Sequence, residues 1–469
     1  MKKIISSLIA LSLIIMQIPA FALSGTGTET DPYLVSSVSD ILAMHNDLDG
    51  YYKLTANIDM TGIEFEPIGN ENEGPFTGTI DGNGYTISNL NIHLPNNKYV
   101  GFVGYLEGTV KNLHLTDVDA YGYRYIGGIA GYAEEDSVID NCTVSGDISG
   151  GYLIGRLYIG GIAGYNNSGT ISDCTNSGSI TYNEDYYSFI GGIAGYNNAG
   201  AINGCTNSSS VTGDSRYPYI GGIAGYNNSG TISDCTNNGS ITKGRYSGGI
   251  TGYNNSGTIS DCTNSGSITD ASYYTGGIAG SNSGTISNST NSGSVTSDAS
   301  NYTGGIAGSN SGTISNSTNS GSVTSDFSYS SSHYTGGIAG YNNSGTISNS
   351  TNSGSVEGGL ANNSYIGGIA GYNSSGTINN CLNLGLIKGA YGICYGWNDY
   401  VYNCVNKGIL QYDGTTYDIT NGSAYNITLS DASVQRGKSV MMFIGLYNYD
   451  RVLTWVSSDE SVATVNSQG

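Results

Sequence analysis

The chain has 469 residues, 36 of them acidic and 15 basic, for a formal charge of −21. That balance argues against nucleic acid and anionic membrane surfaces as partners. Charged residues are only 11% of the chain, whereas glycine supplies 73 residues and tyrosine 39, so the polar surface must come mainly from Asn, Ser, Thr and Gly.

In chain order, residues 1–22 open with Lys2 and Lys3, continue as an apolar run from Ile4 to Ile18, and end on Ala20, Phe21 and Ala22. This is the pattern of a secretory signal peptide, with an apolar run too short to span a bilayer comfortably. It predicts a secreted or cell-surface protein with no membrane insertion after cleavage. Residues 23–91 depart from the pattern that follows. Ser36 or Ser37 is expected to cap a short helix whose apolar face uses Val38, Ile41, Leu42 and Leu48. Strand-like runs at 51–58 and 76–80 come next, followed by 81–87. A repeating fold needs an atypical end to cover its first coil, and this segment suits an N-terminal cap and first coil.

From 92 to 412 the chain repeats. Gly-Gly-Ile-Ala-Gly begins at Gly127, Gly160, Gly191, Gly221, Gly276, Gly304, Gly336 and Gly367, and Gly248 begins a Gly-Gly-Ile-Thr-Gly variant; the steps are 27 to 33 residues. Self-similarity at this period means one supersecondary unit stacked on itself. Each unit carries three short β-prone runs, such as 220–226, 231–236 and 240–242, between Asn/Ser/Gly turns, and no segment of helical length. The expected fold is all-β: a right-handed parallel β-helix of about eleven coils with three strands per coil, roughly 50 Å long at about 4.8 Å per coil.

Equivalent positions should stack. Ile129 to Ile369 and Ile171 to Ile378 form two aliphatic columns, and Asn176 to Asn406 an asparagine column. Cys142, Cys174, Cys205, Cys235 and Cys262 share a position that Ser289, Ser317 and Ser350 take over and that Cys381 and Cys404 resume. Free exchange with serine favours a stack of buried small residues over disulfides or zinc, for which no Cys-x2-Cys or Cys/His cluster is present. Tyrosines make two columns, one running from Tyr125 to Tyr365 through Tyr219 and Tyr246, the other from Tyr132 to Tyr372. Stacked rings would strengthen coil pairing. The variation between units falls after the cysteine position, in segments such as 181–188, 212–218 and 324–333. These insertions should project from one edge, where binding often occurs. Tyr182, Tyr186, Tyr187 and Tyr217 in the insertions, with Tyr219 and Tyr246 in the column, are the candidate ligand-binding edge.

The run 160–180, Gly-Gly-Ile-Ala-Gly-Tyr-Asn-Asn-Ser-Gly-Thr-Ile-Ser-Asp-Cys-Thr-Asn-Ser-Gly-Ser-Ile, resembles the GLUG repeat, and the resemblance extends over roughly 101–409. It implies a bacterial surface β-solenoid of the kind found in adhesin-like proteins and in the stalks of some IgA-cleaving metallopeptidases. The runs 27–33, 52–60 and 81–87 look like the cap of pectin-lyase-like β-helices in such proteins. Residues 413–426 read as a linker. Residues 427–469, with Trp455 and the run 461–465, resemble part of a bacterial Ig-like domain of group 2, so the native chain is expected to continue past Gly469.

No catalytic, metal or cofactor residues are expected. His45, His93, His114 and His333 are scattered, and none lies in His-Glu-x-x-His. Asp117, Asp119, Glu134, Glu135 and Asp136 form the densest acidic group, readable as a weak calcium site or a solvated loop, with no EF-hand spacing. The expected function is a monomeric, non-catalytic binding surface or stalk for glycans or host surface proteins. The alternatives are a polysaccharide-degrading β-helix, the stalk of a larger peptidase whose catalytic part lies beyond Gly469, and a plain spacer.

Overall fold

In a computed structural model, the structure describes residues 23–418 apart from 152–154, 183–186, 214–217, 270, 299, 327–332, 360–363, 389–390, 397–399 and 413–414. The segments read above as a signal peptide and an Ig-like tail, and most of the expected linker, therefore lie outside the described residues.

The architecture is a parallel β-solenoid of about eleven turns with a short helix at its start. One coil shows the plan. Tyr219–Gly221 and Ala224–Asn228 are separated by Gly222 and Ile223; Thr231–Ser233 follows, then Thr236–Asn237 and Ile241–Thr242. Each strand pairs in parallel with its equivalent one coil on: Tyr219 with Tyr246, Ala224 with Thr251, Thr231 with Thr258, Thr236 with Thr263, and Ile241 with Ile268. The strands sort into four sheets, which we call the Tyr-Ile-Gly, Ala-Gly-Tyr, Thr-Ile-Ser and Thr-Asn sheets; the last takes two short strands from most coils and one long strand, His114–Gly122 or Thr143–Gly150, from two others.

The expected single strand over 220–226 is thus two strands in two sheets. The glycines of the motif explain the fold-back. A Cβ on Gly160 would collide with the carbonyl oxygen of Ala163 in the same coil, one on Gly161 with that of Gly192 in the next, and one on Gly164 with the backbone nitrogen of Ile126 in the coil before. Three backbones meet where no side chain fits, so the two strands can pack directly against each other.

The isoleucines fill the interior as the pattern requires. Every member of both columns, from Ile129 to Ile369 and from Ile171 to Ile378, is 0% exposed. Each contributes about 1.5–3 kcal/mol of burial. At the turn before the cysteine position the backbone is left-handed, with φ of 50° at Asp173, 54° at Asp234 and Asp261, and 50° at Asn288. Asp and Asn tolerate this conformation, which is why these repeated carboxylates are turn residues.

At the N-terminal end, Ser37 caps the helix Val38–Ala43 by accepting from the Asp40 backbone N–H. Ile41 is buried, and Val38 and Leu48 pack partly against the core, but Leu42 is 42% exposed. The helix passes into a 3-10 turn at Met44–Asn46, and buried Met44 takes the inward place expected of Leu42. On either side of the helix in sequence, Tyr33–Val35 before it and Tyr51–Leu54 and Thr79–Asp81 after it extend the Thr-Ile-Ser sheet, which reaches 14 strands. At the far end, Ile409–Tyr412 pairs antiparallel with Thr415–Asp418.

Candidate binding ridge

The two tyrosine columns stand on the strands either side of the Gly-Gly corner. Strand alternation turns Ile220 inward and Tyr219 outward, and the next coil repeats the choice. Rings of the first column stack face to face: centroids lie 5.0 Å apart for Tyr125 and Tyr158, 5.1 Å for Phe189 and Tyr219, and 4.6 Å for Tyr219 and Tyr246. Tyr132, Tyr165, Tyr196 and Tyr226 stack at 4.9 to 5.0 Å in the second. Between the columns the rings meet edge to face, as Tyr125 does with Tyr132 at 5.1 Å and 76°. Each edge, carrying positive charge, thus meets a negative face. Tyr99 and Tyr105 extend the pair by one coil, and Ser281 and Ser309 interrupt the second column.

Burial raises the phenol pKa of several ridge tyrosines. Tyr219 is pushed up to about 12, first by desolvation and then by its neighbour Tyr246. Tyr226 and Tyr274 move the same way for the same leading reason.

The ridge has a depression of about 160 Å³ lined by Arg156, Tyr187, Phe189, Tyr196, Tyr219 and Tyr226. Tyr187 is 46% exposed at its rim. The structure thus brings together two of the six candidate residues, Tyr187 and Tyr219, with Tyr246 stacked on the latter. Tyr186 and Tyr217 lie outside the described residues. Tyr182 is a correction: it is 1% exposed and part of the core. It follows Ile180 at an interval of two on the strand Ser179–Tyr182, so both face inward, and its partner in the next coil is Gly213, which leaves room for the ring. The insertions do leave from one corner, between the Thr-Asn strand and the Tyr-Ile-Gly strand, as the pairs Ser179–Tyr182 with Ser188–Gly191 and Val211–Gly213 with Tyr219–Gly221 show.

The asparagine column is a continuous ladder, in which Nδ2 of Asn207 donates to Oδ1 of Asn237 at 2.8 Å and Asn237 donates to Asn264 at 2.8 Å. A second buried ladder, not anticipated from the sequence, links Asn166, Asn197, Asn227 and Asn254 at 2.8 to 2.9 Å. Its signal was the recurrent Tyr-Asn-Asn. The cysteines are free thiols, buried from Cys142 to Cys381 and half-buried at Cys394 and Cys404; Sγ of Cys174 donates to the carbonyl oxygen of Ser172 at 3.1 Å. Contact with Cys235, reinforced by burial, holds the Cys262 thiol well above its ordinary pKa and leaves it unreactive.

The acidic group is not assembled. Asp117 and Asp119 lie on the strand His114–Gly122 of the Thr-Asn sheet, whereas Glu134, Glu135 and Asp136 follow the Ala-Gly-Tyr strand Ala130–Ala133. Glu134 accepts from Tyr105 and Asn167. Among the described residues no three His, Cys, Asp or Glu side chains gather as metal ligands. The histidines are dispersed: His45 meets Glu73 at 3.0 Å, His93 stacks on Tyr121, His114 meets Thr143, and His333 is buried against Ser300. No helix among the described residues is long and apolar enough to cross a membrane.

The fold is a β-solenoid whose repeats carry matches to the GLUG motif. Residues 155–181, 217–242 and 331–357 match the family model of the GLUG motif. Residues 34–146 match that of the M26 IgA1-specific metallo-endopeptidase N-terminal region. Among curated relatives, halomucin of Haloquadratum walsbyi is 36% identical over 146 residues, 28% of this chain and 2% of that protein. The immunoglobulin A1 protease of Streptococcus sanguinis is 34% identical over 122 residues, 25% of this chain and 6% of that protein. The chain thus spans a small fraction of the length of these relatives. A solved Bacteroides ovatus structure described as an immunoglobulin A1 protease is similar at 18% identity and a TM-score of 0.34, over 85% of this chain and 83% of that one.

Proposed function

We propose that this chain is a secreted, surface-exposed and non-catalytic β-helix, adhesin-like in role, whose tyrosine ridge binds glycans. The observation that supports this reading is the depression around Tyr187, where aromatic faces stand on a stacked, rigid support. Sugar rings present apolar faces that such platforms accept, and a fixed platform lowers the ordering cost of binding. Likeness to halomucin and to an immunoglobulin A1 protease, whose namesake substrate is an antibody, supports a position outside the cell. Purified chain is to be titrated with a panel of immobilised polysaccharides. Tyr187→Ala is expected to weaken binding at least tenfold without moving the thermal midpoint. Failure of the unsubstituted chain to bind any polysaccharide would overturn the reading, as would full binding by the variant.

A second reading, as the arm of a larger peptidase, is favoured by the match over 34–146 to the N-terminal region of the M26 family. In that case the ridge would position a catalytic part supplied elsewhere.

A further inference from the structure

The basic residues are not spread over this acidic chain. Between residues 54 and 387 there are seven: Lys98, Lys111, Arg124, Arg156, Arg216, Lys243 and Arg245. Six of the seven stand one to three residues before a first-column aromatic, namely Tyr99, Tyr125, Tyr158, Tyr219 or Tyr246; Lys111 alone is elsewhere, on the Thr-Ile-Ser sheet. From 247 to 387 there is no lysine or arginine at all, and the insertions there carry Asp270, Asp298, Asp326 and Glu357. The ridge therefore changes electrostatic character between Tyr246 and Tyr274.

The described cations lie against the rings. Lys98 Nζ sits 4.5 Å from the Tyr99 centroid, Arg124 Cζ 5.1 Å from that of Tyr125, and Arg245 Cζ 5.9 Å from that of Tyr246. Cation–π contact fixes each head group along the edge without neutralising it. Lys98 is paired with Glu71 at 2.6 Å. Arg124 and Arg156 have no carboxylate partner among the described residues, and the Nε of Arg124 is buried without an acceptor. Arg156 lines the aromatic depression itself. At the ridge itself Glu71 pairs with Lys98 and Glu134 accepts from Tyr105; the insertions of this half add Glu184, Asp185 and Asp214, outside the described residues, so five acids stand beside six cations. Chain-wide the balance is 36 acids to 15 bases.

We infer that the half of the ridge from Tyr99 to Tyr246 selects acidic glycans, polymers that carry carboxylate or sulfate on the sugar. This rests on the glycan-binding reading and names the substrate class for it. A sugar face would stack on the rings while a guanidinium takes the anionic substituent through a bidentate pair, a geometry that suits arginine better than lysine. Six aromatics one coil apart make a track of about 25 Å, long enough for several sugars of an extended polymer to be held at once. The acidic remainder of the molecule repels such a polymer and confines it to this edge.

The test uses two matched pairs of probes: polygalacturonate against its methyl ester, and dextran sulfate against dextran. Unsubstituted chain is expected to bind the charged member of at least one pair ten times or more tightly than its neutral twin, and the pair preferred separates carboxylate from sulfate recognition. Binding should weaken steadily as salt rises from about 0.05 to 0.5 M. The double variant Arg124→Gln/Arg156→Gln should lose at least tenfold for the charged probe while its near-ultraviolet tyrosine dichroism stays unchanged. If neutral and charged members bind equally, or the double variant keeps its affinity, the inference fails while the glycan reading stands. If no member of either pair binds and the wider polysaccharide panel is also negative, both fall.

Discussion

At the scale of single residues, the interior of this solenoid is polar in an ordered way. Both buried asparagine ladders point in one direction, each Nδ2 donating toward the following coil. The loose ends show it: Oδ1 of Asn166, whose partner one coil back is Ala133, finds no donor, and Nδ2 of Asn406 finds no acceptor. Aligned amides polarise one another, so an interior rung carries more than an isolated bond would. Asn237→Leu should leave Oδ1 of Asn264 without its donor and cost about 1–3 kcal/mol in a denaturant melt. Asn255→Leu, on a rung nearer solvent, should cost less. The Asn176 column was legible in the sequence because it stands alone before a turn. The Asn166 ladder was not, because two adjacent asparagines read as a loop until strand alternation decides that Asn166 faces in and Asn167 faces out.

At the scale of elements, the aromatic ridge is a pair of interlocked ladders, and its ionisation is tied to folding. Tyr219 has a folded pKa of about 12 against an ordinary value of 10.0, and Tyr105 rises as far, each led by desolvation. Between those values the folded chain keeps protons that the unfolded chain releases. The associated stability is whole below pH 10 and is lost as pH rises toward 12. An alkaline titration should show a set of tyrosines ionising later than in the denatured chain, with the thermal midpoint falling through the same window; a midpoint flat across it would count against a ladder that resists ionisation. The columns themselves could be read from spacing alone. The corner between them could not, since a run such as 220–226 looks like one strand and only the backbone collisions around the glycines break it. For the same reason Tyr182 looked available: an insertion begins near it, yet the strand continues through it and its parity matches Ile180.

At the scale of the molecule, the repeat period carried the architecture, and the placement of the cations carried what is specific to this chain. Periodicity reports what every coil shares, so it is silent on the features that differ from coil to coil. The same nearest-neighbour construction has a mechanical consequence. Hydrogen bonds between coils lie along the solenoid axis, so tension between the ends opens one rung of the stack at a time. Each coil let go frees 27 to 33 residues, roughly 90–110 Å of extended chain in place of about 5 Å of wound length. Single-molecule stretching should give a sawtooth of such steps, whereas one abrupt release of the whole solenoid would contradict it. Were the aromatic edge to hold a ligand as proposed, the solenoid would yield under drag by paying out line, and the load at that edge would stay capped at the force that unwinds one coil.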